Sequence, residues 1–172
     1  MIKEKMENQT INIIKIIPDT VVDGPRMRTS IYVSGCHNHC PGCHNPESQV
    51  FGSGTDYTIK EVVDLVEKYG HKRVTLSGGD PFWNATECVY LCTELRKRIP
   101  DINIWAYTGL TLEEIGFHSD LKPALLRLLD GLVDGRFIES LKSENIRWRG
   151  STNQRIWTRD ETGAWTLNNE YN

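Results

Sequence analysis

Three cysteines stand within eight residues, in the run Cys36-His37-Asn38-His39-Cys40-Pro41-Gly42-Cys43. Thiolates are soft ligands, and this spacing suits either zinc or an iron–sulfur cluster. A structural zinc site takes four protein ligands, usually in two separated pairs. No second such pair exists, so zinc would need a histidine, and His37, His39, His44, His71 and His118 are available. Three cysteines alone suit a four-iron cubane, whose usual complement is four thiolates. One iron then stays open to a ligand from outside the protein. Such an iron can grip an amino and a carboxylate group and pass an electron into an adjacent sulfonium, which releases a carbon radical. On spacing alone, zinc and cluster both stand.

The second feature is Ser77-Gly78-Gly79-Asp80-Pro81, directly after a β-branched run. Glycines there let backbone approach a ligand closely, and carbonyls at a strand end can accept hydrogen bonds from an ammonium group. Alone, a Gly-Gly turn means only a turn. The remaining cysteines, Cys88 and Cys92, lie four apart on an apolar helical face and read as core. Trp105, Trp148, Trp157 and Trp165 read as packing residues.

The elements that position these features alternate. Ile11–Ile17 and Thr29–Val33 read as strands, separated by the turn signal Asp23-Gly24-Pro25. Residues 34–56, rich in Gly, Pro, Asn, Ser and Cys, read as one long functional loop. Thr58 with Glu61 forms a capping box that opens a helix ending at Gly70. Arg73–Leu76 is the next strand. Asn84 with Glu87 caps a second helix, whose apolar face carries Ala85, Cys88, Cys92, Leu95 and Ile99. Then come the strand Ile102–Tyr107, a short helix opened by Thr111 and Glu114, a helix over Pro123–Leu129, and the strand Leu132–Asp134. From about Lys142 the chain reads as irregular. Alternation of strands and helices predicts α/β architecture with a mostly parallel sheet. Ligands of such sheets bind beyond the carboxyl ends of the strands, so the cysteine loop and the glycine turn should share one rim.

The whole is 172 residues, which favours a single domain with the segment from about 142 irregular. A net charge of −3 gives no basic field for nucleic acid. No apolar run approaches the roughly 20 residues of a membrane helix. The N-terminus carries acidic residues and no signal-peptide pattern. Clustered thiols of odd total number suit a reducing compartment, so a cytoplasmic protein is expected.

Taken in order, these motifs resemble the radical S-adenosylmethionine superfamily and, within it, the activating proteins of anaerobic ribonucleoside-triphosphate reductase. The matching stretches run from about Val22 to Arg155. They include Val33-Ser34-Gly35-Cys36, Cys40-Pro41-Gly42-Cys43-His44-Asn45, Leu76–Pro81, Ile104–Gly109, Leu132-Val133-Asp134-Gly135-Arg136-Phe137 and Trp148-Arg149-Gly150-Ser151-Thr152-Asn153-Gln154-Arg155. The resemblance implies an open, partial βα barrel. It implies a [4Fe-4S] cluster on Cys36, Cys40 and Cys43, and S-adenosylmethionine held by Gly42, Cys43 and His44 and by Gly78, Gly79 and Asp80. The reaction it implies is reductive cleavage of S-adenosylmethionine, followed by formation of a glycyl radical on the anaerobic reductase, with a flavodoxin-like electron donor. No acid–base residue is required by such chemistry. Arg136, Arg147, Arg149 and Arg155 are candidates to dock the partner's glycine loop. This chain departs from the pattern at Gly42, where an aromatic residue is frequent, at His44, where close relatives carry Tyr, and at Arg26, where a small residue is usual. Activation of another glycyl-radical enzyme and a zinc-binding interaction module are the rival readings.

Overall fold

In the computed structural model, which describes residues 9–171, eight strands form one sheet. They are β1 (Thr10–Thr20), β2 (Arg28–Val33), β3 (Thr55–Thr58), β4 (Arg73–Gly78), β5 (Asn103–Tyr107), β6 (Gly131–Asp134), β7 (Arg155–Arg159) and β8 (Trp165–Leu167). Their spatial order is β3-β1-β2-β4-β5-β6-β7-β8. The central strands β2, β4, β5 and β6 pair in parallel. The flanking pairs β1–β2, β1–β3, β6–β7 and β7–β8 are antiparallel. The mostly parallel sheet expected from the alternation is therefore corrected: a parallel centre carries antiparallel wings. The physical reason lies in the connections, since β1–β2 and β7–β8 are joined by turns too short for a parallel crossover. The sheet is not closed, with β3 and β8 as its edges.

Four helices connect the strands: α1 (Ile59–Tyr69), α2 (Ala85–Arg98), α3 (Leu112–Gly116) and α4 (Lys122–Arg127). Capping boxes open α1 at Thr58 and α3 at Thr111, and Gly70 closes α1 in the left-handed conformation. The expected cap at Asn84 is different. Its side chain makes no cap bond, because its amide donates instead to the carbonyls of Gly35 (3.2 Å) and Asp80 (3.1 Å).

Side chains alternate across the sheet. Ile31, Val33, Val74, Leu76, Ile104, Ala106 and Leu132 face the helices, and with Val62, Val63, Val66, Leu91, Leu95, Ile115 and Leu125 they make the main core. Cys88 and Cys92 are fully buried in it, as expected. The opposite face carries a second, smaller cluster of Trp105, Val133 and Ile156, with Tyr107, Trp148 and Tyr171 against it. Arg28, fully buried, fixes the start of the parallel centre. It donates to Thr75 Oγ1 (2.7 Å), the Val74 carbonyl (2.9 Å), Asn103 Oδ1 (3.0 Å) and the Pro25 carbonyl (3.0 Å).

The segment expected to be irregular from about 142 contains β7 and β8, which extend the sheet past β6. The supposed long loop 34–56 also has structure, with a 3-10 turn at Pro46–Gln49 and the first residues of β3. The acidic N-terminal stretch read as lacking a signal pattern falls largely on residues 1–8 and lies outside the described residues. Among the described residues, no helix is long and apolar enough to cross a membrane.

Candidate metal centre and ligand cavity

β2 and β4 are parallel, and their last residues, Val33 and Gly78, are register partners. The chain therefore leaves both strands at the same height on the carboxyl edge. From β2 it enters the cysteine loop, and from β4 the Gly79-Asp80-Pro81 turn. Two backbone bonds stitch the exits together: Gly79 N–H donates to the Val33 carbonyl (2.7 Å) and Asp80 N–H to that of Gly35 (2.9 Å). The fit is close, for a Cβ on Gly79 would stand 2.4 Å from the Gly35 oxygen and 2.8 Å from that of Ser48. The loop also folds back on itself, with Gly35 N–H bound to the Ser48 carbonyl (2.7 Å) and Cys36 N–H to that of Gln49 (3.1 Å).

The shared rim opens into a cavity of about 380 Å³. Cys36, Cys40 and Cys43 line it, as do His44, Gly78, Gly79 and Asp80. Gly42 does not; it packs outward against Glu139. All three thiols are free and partly exposed. Burial pushes the Cys36 thiol up to about 11, against the pull of a hydrogen bond from the Asn38 backbone N–H (3.4 Å). Cys40 is also raised by burial, with the Phe137 backbone N–H acting the other way.

The donor set suits a cluster, with three soft thiols lining one cavity. Among the described residues, no three His, Cys, Asp or Glu side chains meet closely enough to hold one metal ion. A cubane hangs each thiolate on its own iron, so its sulfurs stand apart around a common space. Three cysteines on the wall of one cavity answer to that description.

Asp80 has a role the sequence did not disclose. Its side chain is buried, and both carboxylate oxygens accept from protein donors. Oδ1 accepts from Phe82 N–H (2.9 Å); Oδ2 accepts from Asn38 Nδ2 (2.8 Å), Thr108 Oγ1 (3.0 Å) and Gly109 N–H (2.9 Å). Burial pushes its carboxyl up from the usual range, and these donors pull it back. The carboxylate thus ties together the loops after β2, β4 and β5. Neither Asn38 nor Thr108 shows this role in the sequence, because polar residues in loops carry no periodic signal.

His44 lies against Phe137, ring centroids 4.7 Å apart, and Gly150 packs beside both rings. His37, exposed on the loop, has its ring against those of Phe51 and Trp83, at 4.8 and 5.0 Å. Tyr107 and Trp148 also line the cavity, joined by a bond from the Tyr107 hydroxyl to the Trp148 carbonyl (2.8 Å). Of the arginines considered for docking, Arg136 and Arg147 are exposed. Arg149 lines the cavity and donates to the carbonyls of Gln154 (3.1 Å) and Tyr171 (3.0 Å). Arg155 is engaged in ion pairs with Asp134 and Glu113.

Three thiols and a glycine turn share the carboxyl edge of an open α/β sheet, an arrangement suited to an iron–sulfur cluster. In agreement, the family described as 4Fe-4S single cluster domain matches residues 22–157. The chain is 38% identical over 153 residues to the anaerobic ribonucleoside-triphosphate reductase-activating protein of Vibrio cholerae, an alignment spanning 85% of this chain and 97% of that protein. The proteins of the same name from Escherichia coli K12 and phage T4 are each 32% identical, covering 84% and 90% of this chain and 96% and 98% of theirs. The chain belongs to the family of anaerobic ribonucleoside-triphosphate reductase-activating proteins, and it is an activating enzyme built on a four-iron cluster domain.

Proposed function

We propose that Cys36, Cys40 and Cys43 hold a [4Fe-4S] cluster with one open iron, and that S-adenosylmethionine binds against it along Gly78 and Gly79. When bound and reduced, the pair supplies a 5′-deoxyadenosyl radical able to take a hydrogen atom from a glycine Cα of the anaerobic reductase. The observation that carries this reading is the register of Val33 with Gly78, which brings the cysteine loop and the glycine turn to one cavity.

The chain's own residues do the rest by position. The backbone of Ser77–Gly79 lines the cavity beside the thiols and can accept bonds from the amino group of the ligand. His44, backed by Phe137, offers a face for the adenine. Asp80 contributes through the loops it ties, its oxygens being taken by protein donors. Gly42, on the outer side, contributes the bend between Cys40 and Cys43. Tyr107, Trp148 and Arg149 also line the cavity, and the partner's glycine segment would enter past them. A one-electron donor of flavodoxin type, a single-domain chain and a cytoplasmic setting complete the reading.

The test is anaerobic reconstitution with iron and sulfide. The expected protein is brown and, once reduced, converts S-adenosylmethionine to 5′-deoxyadenosine. Mixed with the anaerobic reductase, it produces a glycyl doublet in electron paramagnetic resonance. A colourless protein that keeps one zinc through this treatment would overturn the proposal. Turnover without a doublet on the reductase would redirect it to another substrate.

A further inference from the structure

Asn38 lies between the first two cysteines of the loop, and its atoms act in two directions. Its backbone N–H donates to Cys36 Sγ at 3.4 Å. Its side-chain amide donates to Asp80 Oδ2 at 2.8 Å and accepts from Trp83 Nε1 at 3.4 Å. The amide also rests on Gly109, where a Cβ would stand 2.2 Å from Nδ2. Asp80, in turn, is held by Thr108, Gly109 and Phe82. An unbroken chain of bonds thus runs from the β5 exit, through a buried carboxylate, to a cysteine sulfur. All the protein groups around Asp80 are donors, so the site holds the carboxylate as an acceptor from every side.

We infer that Asp80 and Asn38 are positioning residues for the metal centre: the carboxylate clamps the Asn38 amide, and the clamped Asn38 aims its N–H at the Cys36 sulfur. The inference rests on the cluster reading above. Groups that orient metal ligands govern how tightly the metal is kept, and hydrogen bonds to ligand sulfurs stabilise the reduced cluster and raise its potential. Neither residue needs to touch S-adenosylmethionine for this role.

The test uses the full chain reconstituted with iron and sulfide, as wild type, Asn38→Ala, Asp80→Asn and the double variant. Asn38→Ala removes the amide from a half-exposed loop and leaves the core intact. It should lose iron to a chelator about tenfold faster than wild type and show a more negative cluster midpoint potential. Asp80→Asn should lose iron at a similarly raised rate. The double variant should be no faster than the worse single one, because both changes cut the same chain of bonds.

If Asn38→Ala retains iron and potential as wild type does, the clamp has no such role. Additive losses in the double variant would mean that the two residues act separately. If Asp80→Asn fails to fold, Asn38→Ala alone still decides through its potential. A wild-type chain that takes up no cluster overturns this inference together with the reading beneath it, whereas a wild type that loads beside an indifferent Asn38→Ala overturns this inference only.

Discussion

Arg155 and Asp134 are bound by two hydrogen bonds, from Nε to Oδ1 at 3.0 Å and from Nη2 to Oδ2 at 2.6 Å. Asp134 is fully buried at the end of β6 and also accepts from Leu112 N–H (2.7 Å). Arg155 reaches on to Glu113, so one guanidinium joins β7, β6 and α3. An arginine read in the sequence as a docking candidate is thereby part of the frame.

Removing it should therefore act on stability. Arg155→Ala leaves the Asp134 carboxylate buried without its cation, and a loss of about 2 kcal/mol is expected, below the value for a fully enclosed pair because Arg155 is partly exposed. Arg147→Ala, at an exposed position, should change stability by less than about 0.5 kcal/mol. Urea unfolding of the two variants checks the contrast.

The same network carries a pH dependence. Hydrogen bonds from Arg155 hold the Glu113 carboxyl down at about 2, against 4.5 for the free group. The folded value lies below the unfolded one, so the stabilisation is present above about pH 4.5 and is lost as pH falls toward about 2. Wild type and Glu113→Gln should differ modestly at pH 6, since Glu113 is exposed, and converge as the solution is acidified through that window. Parallel thermal melts across the range measure it. A gap that widens on acidification would contradict the assignment.

Glycines at the two ends of α1 and β4 should separate space from strain. Gly79→Ala places a Cβ into two backbone oxygens of the cysteine loop. That loop must move, and cleavage of S-adenosylmethionine should fall by more than tenfold. Gly70→Ala meets nothing within 4 Å and suffers only its φ of +77°. It should cost about 1 kcal/mol of stability and leave cleavage unchanged. Product assays beside melting curves distinguish the two.

Arg26 has a φ of +62°, at the position where the sequence departs from a small residue. Arg26→Gly relieves that strain and should raise stability by about 0.5–1 kcal/mol. A lower unfolding midpoint would show instead that the Arg26 side chain holds the turn.

Cys88 and Cys92 lie wholly in the core, their thiols raised by burial, Cys92 to about 12. Each change to Ala should cost about 1 kcal/mol and leave the iron content unaltered, whereas Cys36→Ala should abolish cluster uptake. Iron and sulfide analysis after reconstitution decides.

Much of this was legible beforehand because it rests on local rules. The capping boxes at Thr58 and Thr111 need only a hydroxyl and a glutamate three residues apart, and both formed as written. The cysteine loop announced itself by spacing, and its shared rim with the glycine turn followed from βαβ topology. The C-terminal strands were illegible for a physical reason. In Arg155-Ile156-Trp157-Thr158-Arg159, arginines occupy the strand ends, and their charges are satisfied by distant partners such as Asp134 and the Arg127 carbonyl. No alternation of apolar and polar residues survives that arrangement. Asn84 misled because its amide had two carbonyls within reach in three dimensions and a cap only in one. Asp80 read as a neighbour of the ligand; its bonds run to Asn38 and Thr108, at separations of 42 and 28 residues that no local pattern encodes.

All four helices lie on the face of the sheet that carries the main core, and the cavity opens on the other. Under the proposed function, the enzyme is a half-shell. Reactive species formed in it would be sheltered on one side by protein and on the other by whatever docks there. Encounter with the reductase would then act as the closing step, and the lone protein should squander its cofactor on solvent while the complex directs it to a single carbon.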